Sequence, residues 1–204
     1  MRDETITEFL SQLAARTSAP GGGAAAALHA AQAAALIAMV ARYSDGPRHD
    51  PAVVGRIRAA ADGLIDEALG LAEADAAAFG EVSAAYGLPK GAPEEKQARS
   101  DAIARALAGA ARPPADLMAA SVRLAGLTEE MLAAANRSVI SDLAAAAAAI
   151  TAAAVTARVN IEANLAGIKN ERLKTELEDT AALADEVMDR ADRLIGAVRE
   201  EISS

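Results

Sequence analysis

Hydrophobic positions recur at helical spacing along almost the whole chain. Ile6, Phe9, Leu10 and Leu13 stand at i, i+3, i+4 and i+7. Thr5 precedes them, and Glu8 follows it at the spacing of a capping box. This predicts a first helix that stops before Ser18-Ala19-Pro20-Gly21-Gly22-Gly23. From about Gly23 to Tyr43 the chain is apolar nearly all round, the mark of a helix buried at the centre of a bundle. Ser44 to Pro51 reads as a loop, with Asp50 as N-cap and Pro51 at the first helical position. A long helix follows, from roughly Pro51 to Tyr86. Its stripe is Ile57, Ala61, Leu64, Ala68, Leu71, Asp75, Phe79 and Val82.

Gly87 to Pro93 breaks that helix. A fourth starts near Glu94 with Ile103 and Leu107 on one face, and Pro113-Pro114 ends or kinks it. The pattern then predicts a helix to about Ala125, a short one from Glu129 to Ala135 capped by Thr128, and a long one from Val139 to Ile168. The last runs from Leu173 to Ile202, with Leu177, Ala184, Val187, Ala191, Leu194 and Val198 in register. No internal repeat and no low-complexity linker interrupts this order. The expectation is an all-α fold: one domain over residues 1–204, a bundle of long and short helices.

Composition sharpens that expectation. Of the 204 residues 58 are alanine, and aromatic residues make up 2%. Alanine, Leu, Glu and Arg favour helix over strand. The core must come from Leu, Ile, Val and Ala, and alanine faces let helices approach closely. The net charge of -9 argues against a nucleic-acid surface, which needs clustered Lys and Arg, and disfavours an anionic membrane face. With no cysteine, disulfides, thiolate nucleophiles and Cys zinc sites are excluded. His29 and His49 are too few for a His-rich metal site. Met1-Arg2-Asp3-Glu4 does not read as a signal peptide. Ala24 to Val40 is short and weakly hydrophobic for a membrane span. A soluble, cytoplasmic protein is expected.

Asp75 is the most informative residue. It interrupts an apolar stripe, one turn after Leu71 and one before Phe79. A carboxylate there is partnered, or it is held towards its neutral form, because an unpaired buried charge is costly. Desolvation raises its pKa towards the range useful for general acid or base work. A structural ion pair, or a place at the solvent edge of the stripe, is the plainer explanation. Pro20-Gly21-Gly22-Gly23 precedes a helix. Its backbone N–H groups could meet an anionic or carbonyl oxygen, or the segment could be a tight turn only. It lacks the Lys-Ser/Thr of a P-loop. On the helix from Val139, Asp142, Asn160 and Asn164 share one side with a row of alanines. Asp142 and Asn160 are roughly 27 Å apart at 1.5 Å per residue, too far to hold one ring system in one subunit. Lys90 and Arg99 are exposed-charge candidates.

Together these segments resemble a known family. Ser18-Ala19-Pro20-Gly21-Gly22-Gly23-Ala24-Ala25-Ala26, with its Ala-rich helix ending Ala38-Met39-Val40-Ala41, resembles the Pro-Gly-Gly-Gly-Ser opening of the formiminotransferase-cyclodeaminase family. Asp75-Ala76-Ala77-Ala78-Phe79 with Val82, then Leu88-Pro89-Lys90, are similar to its Asp-x-x-Ala-Phe and Leu-Pro-Lys segments. Asn136, Ser141-Asp142 and Asn160-Ile161-Glu162-Ala163-Asn164-Leu165 resemble its Asn, Ser-Asp and Asn-Val-x-x-Asn-Leu segments. Ala24 stands where the family usually has serine, and Ala30 where glycine is common.

The resemblance implies a homodimeric helical enzyme acting on tetrahydrofolate one-carbon adducts, with no metal and no cofactor beyond that substrate. Asp75 would be the catalytic acid/base. Pro20, Gly21, Gly22, Gly23, Lys90, Asp142, Asn160 and Asn164 would bind substrate. Family naming favours cyclodeamination of 5-formiminotetrahydrofolate to 5,10-methenyltetrahydrofolate and ammonia. Methenyltetrahydrofolate cyclohydrolysis is the alternative. A non-catalytic helical folate-binding or interaction protein is the rival from another class.

Overall fold

The computed structural model describes residues 2–46 and 49–204. The expected loop at Pro47-Arg48, and Met1 of the N-terminal reading, lie outside the described residues. Among the described residues, seven α-helices and one 3-10 turn make up the regular structure, and no strand occurs. The helices are α1 (Ile6–Leu13), α2 (Gly22–Tyr43), α3 (Pro51–Tyr86), α4 (Pro93–Ala110), α5 (Arg112–Ala134), α6 (Ser141–Leu165) and α7 (Glu171–Ser203), with the 3-10 turn at Arg137–Val139 before α6.

α2 is the centre of the bundle, as its all-round apolar pattern predicts. It packs on α3, α5 and α6, while α7 closes the far side against α5 and α6. Most of its buried positions are alanine, with Ile37 and Val40 as the large fully buried side chains. Leu143 and Ile150 of α6, and Met118, Leu124 and Met131 of α5, fill the same core. Truncating one of these, such as Leu143→Ala, would cost about 2–5 kcal/mol, because a rigid alanine-lined core collapses poorly around a void. Exposed ion pairs such as Arg42–Asp62 and Arg123–Glu67 link neighbouring helices, and each contributes little.

Local signals hold at several boundaries. Thr5 accepts the Glu8 N–H while the Glu8 carboxylate accepts the Thr5 N–H, completing the capping box. Asp50 accepts the Ala52 N–H at 2.9 Å with Pro51 beside it. The prolines at 113 and 114 separate α4 from α5 and fall in the first turn of α5, where a missing N–H removes no helical hydrogen bond.

Three expectations are corrected. No separate short helix starts at Thr128, because α5 runs unbroken through it. Thr128 is buried, and its hydroxyl donates to the Leu124 carbonyl one turn back. The α1 stripe is only partly used: Phe9 is buried, whereas Ile6 and Leu10 are 80% and 55% exposed. Phe79 belongs to the α3 stripe by spacing but is half exposed rather than core.

Candidate active site

Where the N-terminus of α2 meets the middle of α3, the chain forms its chemically most distinctive junction. Gly21 is the N-cap of α2, and no side chain of its own caps that end. The first N–H groups of a helix have no partner within it. Asp75 approaches them from across the bundle, and the Ala24 N–H lies near enough to its carboxyl group to favour the charged form. The approach is very close. A Cβ on Gly23 would occupy the space of the Asp75 carboxyl group, whereas one on Gly22 would meet only Thr156 Cγ2 at an ordinary 3.9 Å. Gly23 is therefore a glycine because a carboxyl group lies against its Cα. Ala24 is wholly buried, so position 24 meets the acid through its backbone.

Burial pushes the Asp75 carboxyl above the ordinary aspartate range, and the Ala24 N–H offsets part of that rise. No charged side chain pairs with Asp75 among the described residues. This removes the ion-pair explanation of an acid in an apolar stripe.

A cavity of about 430 Å³ opens on this junction. Gly21, Gly22, Gly23 and Asp75 form one side, and Asn160 and Asn164 of α6 another. Asn164 Nδ2 donates to the Asn160 carbonyl at 2.8 Å, which leaves its Oδ1 available. The Asn160 side-chain amide makes no hydrogen bond among the described residues. Phe79 and Val82 of α3 and Leu107 and Ala110 of α4 add apolar surface. Within this lining Asp75 is the single ionisable side chain. The junction thus offers one carboxyl group, the Asn160 amide, the Asn164 Oδ1 and an apolar wall, in a volume suited to a small organic ligand. No cluster of three or more metal-ligating acid or histidine side chains occurs among the described residues.

Of the residues singled out from sequence, Asp75, Gly21, Gly22, Gly23, Asn160 and Asn164 come together here. Pro20 lies next to the lining, between Ala19 and Gly21, with a cis Ala19–Pro20 peptide bond. Lys90 does not join them: it is exposed in the α3–α4 loop. Asp142 sits at the opposite end of α6, in its first turn, where a negative charge suits the helix dipole. The separation calculated along the helix is therefore real, and Asp142 and Asn160 do not share this cavity. Sequence reasoning missed the apolar wall. Phe79 and Val82 follow Asp75 at i+4 and i+7, a signal that was present, whereas Leu107 and Ala110 come from a different helix and carry none.

A family model described as formiminotransferase-cyclodeaminase matches residues 5–183. Methenyltetrahydrofolate cyclohydrolase of Methylorubrum extorquens is 35% identical over 196 residues, covering 92% of this chain and 94% of that protein. Formimidoyltransferase-cyclodeaminase of Rattus norvegicus is 30% identical over 200 residues, covering 96% of this chain but only 37% of that longer protein. Among solved structures, formiminotetrahydrofolate cyclodeaminase of Thermotoga maritima superimposes with a TM-score of 0.82 at 25% identity, covering 99% of this chain and 97% of that one. With the matched span taking in Gly23, Asp75, Asn160 and Asn164, the chain belongs to the formiminotransferase-cyclodeaminase family.

Proposed function

We propose that this chain opens the one-carbon bridge of 5,10-methenyltetrahydrofolate with water, giving 10-formyltetrahydrofolate. The observation that carries the reading is Asp75: the single ionisable side chain among the described residues that line the cavity, with no ion-pair partner among them, half-buried and held above its ordinary pKa. The bridge carbon lies between two nitrogens and carries the positive charge of an amidinium. A carboxylate facing it stabilises that charge and accepts a proton from the attacking water.

The steps balance on one acid. Water oxygen bonds to the bridge carbon as Asp75 takes a water proton. The carbon–N5 bond then breaks, N5 takes the proton from Asp75, and the hydroxyl proton leaves to solvent as the formyl carbonyl forms. Asn160 and Asn164 offer donors and acceptors for the polar edge of the ring system.

Cyclodeamination is the second reading. N10 attacks the carbon of the protonated formimino group, whose nitrogen already carries two hydrogens. Asp75 takes the N10 proton and returns it to that nitrogen as the carbon–nitrogen bond breaks, so ammonia leaves and the methenyl bridge keeps the positive charge. The same carboxyl group serves both reactions. Ring opening is the first reading because the cyclohydrolase relative, matched over nearly its whole length, is 35% identical, against 30% and 25% for the cyclodeaminases. The solved relative supports cyclodeamination.

Turnover of each adduct by the purified protein separates them. Loss of methenyl absorbance with formyl product supports the first reading, and ammonia release from the formimino adduct supports the second. No turnover of either, with no shift of melting temperature on adding tetrahydrofolate, refutes both. We also propose that the chain pairs with a second copy, as the family resemblance implies. The outward row Val155 and Val159 on α6, 38% and 55% exposed, is suited to such a contact. A monomer in light scattering at micromolar concentration would refute it.

A further inference from the structure

The cavity has two unlike walls. One is polar: Asp75, Asn160, Asn164 and the glycine backbone. The other is apolar and includes Phe79, Val82 and Leu107. The chain has two phenylalanines and no tryptophan, and they are placed differently. Phe9 is buried in the fold, whereas Phe79 is 50% exposed at the cavity. Its exposure is not explained by the bundle core, which it does not join. Phe79 is one helical turn beyond Asp75 on the same face of α3, about 6 Å along the axis at 1.5 Å per residue. A planar ring lying on Phe79 therefore spans the turn and brings its edge to the carboxyl group.

We propose that Phe79 is the stacking platform for the flat pyrimidinone half of a reduced pterin, and that this contact sets the bridge carbon against Asp75. The assignment rests on the folate reading above and adds a substrate-touching residue to it. The polar groups fit the ring edge and the phenyl fits its face, which is how an aromatic-lined pocket orients a flat heterocycle. The face contact is sequence-distant from the glycine turn, so the ligand is clamped between α3 and the α2–α6 wall rather than held by the turn alone.

Three variants at position 79 test this through steady-state kinetics on the methenyl and formimino adducts, with melting temperature as the control. Phe79→Ala removes the platform and should raise KM about tenfold, the loss expected for one ring-on-ring contact. Its melting temperature should stay close to wild type, because the side chain is half exposed. Phe79→Tyr keeps the π face and should restore KM to within about twofold. Phe79→Trp places a single indole in a chain that has none, and its fluorescence should be quenched on titration with tetrahydrofolate.

An unchanged KM in Phe79→Ala, while Asp75→Asn is inactive, overturns the platform and leaves the folate reading standing. Failure of Phe79→Tyr to restore KM overturns it also, since shape alone would then be at issue. If Phe79→Ala instead weakens self-association with KM unchanged, the ring is covered by a second copy and the proposal is wrong. If wild type neither binds tetrahydrofolate nor turns over either adduct, both this proposal and the reading beneath it fall.

Discussion

The two ends of α2 are built from similar materials and do different things. Each carries a cavity, of about 430 Å³ at the N-terminal end and about 520 Å³ at the C-terminal end. At the C-terminal end Ser44 and Asn136 are satisfied within the loop, although Asp45 and His49 on the same lining do not join their hydrogen bonds. Ser44 donates its hydroxyl to the Val40 carbonyl at 2.8 Å and accepts the Asn136 N–H at 2.8 Å. Asn136 Nδ2 donates to the Tyr43 carbonyl at 2.9 Å, and its Oδ1 accepts from Ser138. At the N-terminal end the acid, one amide and the backbone turn face the cavity with little self-pairing. A closed hydrogen-bond set fixes a loop. An incompletely paired set beside an apolar wall is available to a ligand.

The strongest way to break the comparison is Asp75→Asn. The amide keeps size and hydrogen-bonding capacity, but it transfers no proton. Turnover should fall on the order of a hundredfold to ten-thousandfold. The melting temperature should hold or rise, because a carboxyl disfavoured by burial is removed. Retention of more than about a tenth of the activity would sink the catalytic role.

Gly23→Ala tests the contact itself. The new methyl group enters the space of the Asp75 carboxyl group, so the acid must move. Overpacking of this kind costs about 1–3 kcal/mol and should lower the melting temperature by several degrees. A displaced acid should also lower kcat at least about tenfold. Wild-type kcat in this variant would mean that the close approach has no bearing on the chemistry.

Asn136→Ala is the opposite case. It removes the bond to the Tyr43 carbonyl and the two from Ser138, at a cost of about 1–3 kcal/mol in stability. Its kcat and KM should match wild type, as the loop is remote from the acid. A variant that melts normally but loses activity would reverse the roles assigned to the two ends.

These same residues show what was legible in the sequence. The helix ends at Thr5, Asp50 and Pro113 were readable because a cap or a missing N–H is a local property. Asp75 was readable because a charge in an apolar stripe violates a periodic pattern. Thr128 misled because threonine serves equally as an N-cap and as a buried hydroxyl bonded one turn back, and only burial separates the two. The Gly23–Asp75 contact joins residues 52 positions apart, and no spacing rule encodes it. Asp142 shares an azimuth with Asn160, but the length of α6 keeps it from the cavity. Lys90 had only its charge and motif, which say nothing of where a loop points.

The smallest effect expected is in the pH dependence of stability. Asp75 has its folded-state pKa raised by burial, so between its unfolded value near 3.8 and the higher folded value the native state binds the proton more tightly. Its contribution to stability is fully present below the unfolded value and is lost as pH rises through the folded one. Asp75→Asn removes that dependence, so the difference in stability between wild type and variant should narrow, or turn in favour of the variant, as pH rises through that window. Activity should run the other way: the ionised acid accepts the water proton, so kcat/KM rises as Asp75 ionises, at a pH above that of an ordinary aspartate. Denaturant melts of both proteins across acidic pH read the first effect, and initial rates read the second. Parallel stability curves, with a rate limb at the ordinary aspartate value, would show that the acid is solvated. The two ends of α2 would then differ in hydrogen bonding alone.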